Sequence, residues 1–127
     1  LWSGAQVGGV PLRSWPGWLP RDEDALALEV RRAAYEVIAR KGATNHAIGL
    51  VTAHLLRCML RGERRVLTVS RVQDGAFGLH GVALSLPTVV GHGGGTMVLE
   101  PGLDAAELAA LQRSADVLRQ AHAGLQP

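Results

Sequence analysis

Aromatic side chains are scarce: Phe, Trp and Tyr together make up 4% of the 127 residues. A core must therefore be aliphatic. Cysteine is scarcer still. Cys58 stands alone, so no internal disulfide can form, and a reducing, cytoplasmic setting fits best. Charge of one sign is also missing, because 13 basic residues face 11 acidic ones for a net charge of +2. The densest basic stretch, Arg61 to Arg65, is interrupted by Glu63 and has no aromatic neighbours. The expectation is no nucleic-acid partner. No apolar run approaches the ~18 residues of a membrane span, so no membrane partner is expected. A secretory n-region and an initiator Met are absent as well, and Leu1-Trp2-Ser3 reads as a cut inside a longer protein.

What is present points to a folded domain. Apolar residues make up 47% of the chain, too many for disorder. The length suits one domain with a real core. Leu1 to Leu12 reads as a strand running into a turn at Pro11, and the prolines and glycine of Arg13 to Pro20 make a loop. Leu26, Val30, Ala33, Ala34, Val37 and Ile38 recur at helical spacing and predict a helix over 24–41, capped by Asp22 or Asp24 and stopped by Gly42. A second helix is expected over 44–61, with Ile48, Val51, Leu55 and Met59 as its stripe. At Arg65 the period changes to two. Strands are expected over 65–72, 82–90 and 96–99, with turns at Asp74-Gly75 and His92 to Gly95. Pro87 suggests an edge or a bulge. Asp104 and Glu107 have capping-box spacing before a helix over 105–122. The fold class is α+β, helices packed on an antiparallel sheet.

Chemistry is harder to find. His92-Gly93-Gly94-Gly95-Thr96 lacks the Lys-Ser/Thr pair and the following helix of a phosphate loop, so it reads as a hairpin turn. His46 and His54 lie eight apart, not the four of a helical metal pair, and no metal site is expected. Cys58 sits mid-helix without an activating partner and reads as a small buried hydrophobe. Ser3, Ser70 and Ser85 lack a nucleophile elbow. No complete catalytic set emerges from the residues themselves.

Three segments carry a resemblance. The first is Arg32-Ala33-Ala34-Tyr35-Glu36-Val37-Ile38 with Lys41-Gly42-Ala43-Thr44 and Ala47-Ile48-Gly49. The second is Val66-Leu67-Thr68-Val69-Ser70, Asp74-Gly75 and Val82 to Gly91. The third is Leu108 to Leu118. In this order and spacing they resemble the lactate/malate dehydrogenase family, specifically the substrate-side half of its L-lactate dehydrogenases, over nearly the whole chain. The resemblance implies a C-terminal substrate-binding domain spanning 1–127. An N-terminal Rossmann domain would hold NAD, and the catalytic arginines and the Asp–His relay would lie upstream of Leu1. It implies no catalytic residue in this chain and a fragment that is inactive alone. Thr44 matches the substrate-contacting threonine, Ala33 and Ala34 match small residues facing pyruvate or L-lactate, and Ile48 matches an apolar residue on the nicotinamide side. A helix cap for Thr44 and ordinary packing for Ala33, Ala34 and Ile48 are the plainer readings. Asn45-His46 departs from the family, which has aromatics there. The family also implies a homo-oligomer, a tetramer, in the complete enzyme. Malate-type specificity and a non-catalytic interaction module stay open as alternatives.

Overall fold

The computed structural model describes residues 1–125. Two compact units form, one from residues 2–56 and one from residues 57–125 together with Leu1.

In the first unit the N-terminal stretch folds as a hairpin rather than the single strand expected. Strand β1 (Gln6–Val7) pairs antiparallel with β2 (Val10–Pro11). Gly8 and Gly9, at φ 60° and 83°, make the two-residue turn between them, a conformation that glycine adopts without steric cost. The loop after β2 is held by side chains. Glu23 is buried, and the Arg13 guanidinium donates to both of its carboxylate oxygens at 2.8 and 2.7 Å. Trp18 Nε1 donates to the same carboxylate at 3.3 Å, and the Trp18 and Trp2 rings meet at 5.6 Å between centroids.

Helix α1 (Glu23–Lys41) begins at that carboxylate. Asp22 occupies the N-cap position, but its side chain makes no capping bond, which corrects the cap expected from the sequence. Gly42, at φ 76°, closes the helix with its N–H on the Ile38 carbonyl at 2.7 Å. After two connecting residues helix α2 (Asn45–Arg61) starts. The apolar stripes of both helices were expected to face a core. Instead Val30, Val37, Ile38, Ile48 and Val51 are all exposed, as are Leu50 and Leu56.

The second unit is a meander. Strands β3 (Arg65–Asp74), β4 (His80–Gly91) and β5 (Gly94–Val98) form one antiparallel sheet in chain order, with β4 in the middle. Pro87 therefore sits in a central strand. Its carbonyl accepts from Leu99 N at 2.8 Å, on the β5 side, just past the last β4–β5 pair, Thr88 with Val98. The N–H that proline lacks would point the same way, so no bond to β3 is lost. Helix α3 (Ala105–Ala123) is capped by Asp104, whose carboxylate accepts from Glu107 N at 2.9 Å. It lays Ala115 and Leu111 on Leu79, Val82, Leu84 and Phe77. Farther along β4, Leu86, Thr88 and Val90 are buried, and Cys58 from the end of α2 is fully covered, its thiol donating to the Val90 carbonyl at 3.4 Å.

Candidate functional site

The break between α1 and α2 opens a cavity of about 500 Å³ inside the first unit. Three consecutive segments line it. The last turns of α1 give Ala33, Ala34, Val37 and Lys41; the connector gives Ala43 and Thr44; the first turn of α2 gives His46, Ala47 and Ile48. The break follows from the sequence. Gly42 takes the left-handed conformation that ends α1, and the chain restarts as helix three residues later. Residues distant on one continuous helix are thereby folded around a common space.

All four residues singled out from the sequence, Thr44, Ala33, Ala34 and Ile48, line this one cavity. Thr44 is half-buried and the others are exposed to the cavity mouth and solvent. Among the described residues the Thr44 hydroxyl makes no hydrogen bond, so the plainer reading of Thr44 as a side-chain cap for α2 has no bond to rest on. Its hydroxyl is free to bond a ligand. Ala33 and Ala34 carry a single methyl each and leave room. Ile48 turns a branched alkyl surface to the same wall. Sequence reasoning did not assign Lys41 and His46 to this site, although His46 was noted as a departure from the usual aromatic. Among the described residues no three His, Cys, Asp or Glu side chains are grouped to hold a metal, and no helix is long and apolar enough to cross a membrane.

The lactate/malate dehydrogenase α/β C-terminal domain matches residues 1–124. The chain belongs to that family. This dehydrogenase-family domain is 44% identical over 121 residues to an L-lactate dehydrogenase of Synechococcus sp. (strain JA-3-3Ab), covering 94% of this chain and 40% of the relative. It is 41% identical over 129 residues to the L-lactate dehydrogenase of Salinibacter ruber, covering 98% of this chain and 41% of the relative. Among solved structures, the minor L-lactate dehydrogenase from Enterococcus mundtii, determined in a ligands-bound form, superposes with a TM-score of 0.92 at 29% identity over 98% of this chain and 41% of that one. The domain thus spans about two-fifths of the length of the relatives it matches. The α+β fold expected from the sequence is the fold found.

Proposed function

We propose that this domain, spanning 1–127, is the substrate-binding part of an NAD-dependent L-lactate dehydrogenase. The complete protein interconverts pyruvate and L-lactate. The observation that carries the reading is the convergence of Thr44, Ala33, Ala34 and Ile48 on one cavity, in a chain whose relatives are named L-lactate dehydrogenases.

Each residue then has a task. Thr44 offers its free hydroxyl to the substrate, and a small branched residue does so without closing the pocket. Ala33 and Ala34 set aside space for the methyl end of pyruvate. Ile48, 65% exposed, fits an aromatic face such as the nicotinamide ring of NAD, and an apolar wall there keeps water from the reacting carbon. NAD, when bound, supplies or accepts the hydride. Reduction of pyruvate also needs a proton donor and a cation opposite the carboxylate. We assign these, together with most of the dinucleotide contacts, to the rest of the complete protein. In this reading no residue of the chain is catalytic, and the chain alone turns nothing over. The buried free thiol of Cys58 suits a cytoplasmic location. The exposed leucines of α2 suit a homo-oligomer, which we take to be a tetramer.

A chimera tests the reading. The portion of the Synechococcus relative that precedes its matching segment is joined to this domain and assayed for NADH oxidation. Pyruvate turnover well above that of oxaloacetate is the expected result. A folded chimera that reduces neither compound would defeat the proposal, and preference for oxaloacetate would move it to the malate type.

A further inference from the structure

We draw no further inference here: the strongest candidate, the polar cavity lined by Arg71, Gln73 and Asp74 of β3, Thr96 of β5 and Glu100, carries nothing, because the one buried oxygen there without a partner, Gln73 Oε1, is itself covered by protein atoms and nothing in the structure shows what the charged side chains around it would hold.

Discussion

Single residues fix the geometry of the cavity and the loop beside it. Gly42 ends α1 at φ 76° with open space around the position a Cβ would take. Only backbone strain opposes an added methyl there, and we predict that Gly42→Ala destabilises the chain by about 1 kcal/mol, read as a lower urea midpoint. Glu23 is a different case. The residue is 7% exposed, and its carboxylate answers both Arg13 and Trp18. Glu23→Ala removes both bonds between this carboxylate and the Arg13 guanidinium, but the Arg13 side chain is 40% exposed and water takes up part of the loss. The expected cost is roughly 1–2 kcal/mol. Tryptophan fluorescence should change with it, because the Trp2–Trp18 contact rests on the same anchor. Thr44 belongs to chemistry more than to stability. In the chimera, Thr44→Ala should lower kcat/KM for pyruvate by about tenfold, the value of one hydrogen bond of roughly 1.4 kcal/mol. Its melting temperature should hardly move, since the hydroxyl has no partner in the fold. Unchanged kinetics would remove Thr44 from the substrate wall.

Elements were legible in the sequence wherever one period ran long enough. The stripe from Leu108 to Leu118 and the cap at Asp104 placed α3 to within a residue of its observed span. The alternation from Val66 onward placed β3. Burial was not legible for α1 and α2, because a stripe says which residues share a face and not what covers that face. Val30 at 75% and Leu50 at 74% exposed are the result. Pro87 misled for a related reason. The rule that keeps proline out of central strands concerns the ladder bond it cannot make, and at Pro87 that bond falls beyond the end of β5. In the cavity, the resemblance located Thr44, Ala33, Ala34 and Ile48. Lys41 was missed because nothing in the sequence says that the last turn of α1 and the first turn of α2 line one cavity. Packing of α3 on the sheet can be tested at Ala115, which is fully buried against Leu79 and Val82. Ala115→Leu should cost about 1–3 kcal/mol by overfilling that space, measured by chemical denaturation.

At the scale of the whole molecule, the exposed leucines of α2 offer an apolar surface for association. Leu50, Leu56 and Leu60 are 74%, 50% and 77% exposed. We predict that the purified chain self-associates, with light-scattering mass rising with concentration, and that Leu50→Glu with Leu60→Glu lowers it. A chain that stays monomeric at high concentration would speak against these leucines as an assembly surface. The sheet has another consequence, one of time. Strands β3, β4 and β5 pair only with their neighbours in the chain, and no strand waits for a distant segment to arrive. Sheets built this way close short loops first and so reach their transition state with little lost chain entropy. The meander with its α3 cover is thus the part of the polypeptide equipped to fold early. During synthesis, the α1–α2 segment would leave the ribosome before the sheet and wait, apolar stripes bare, for surfaces to pack against.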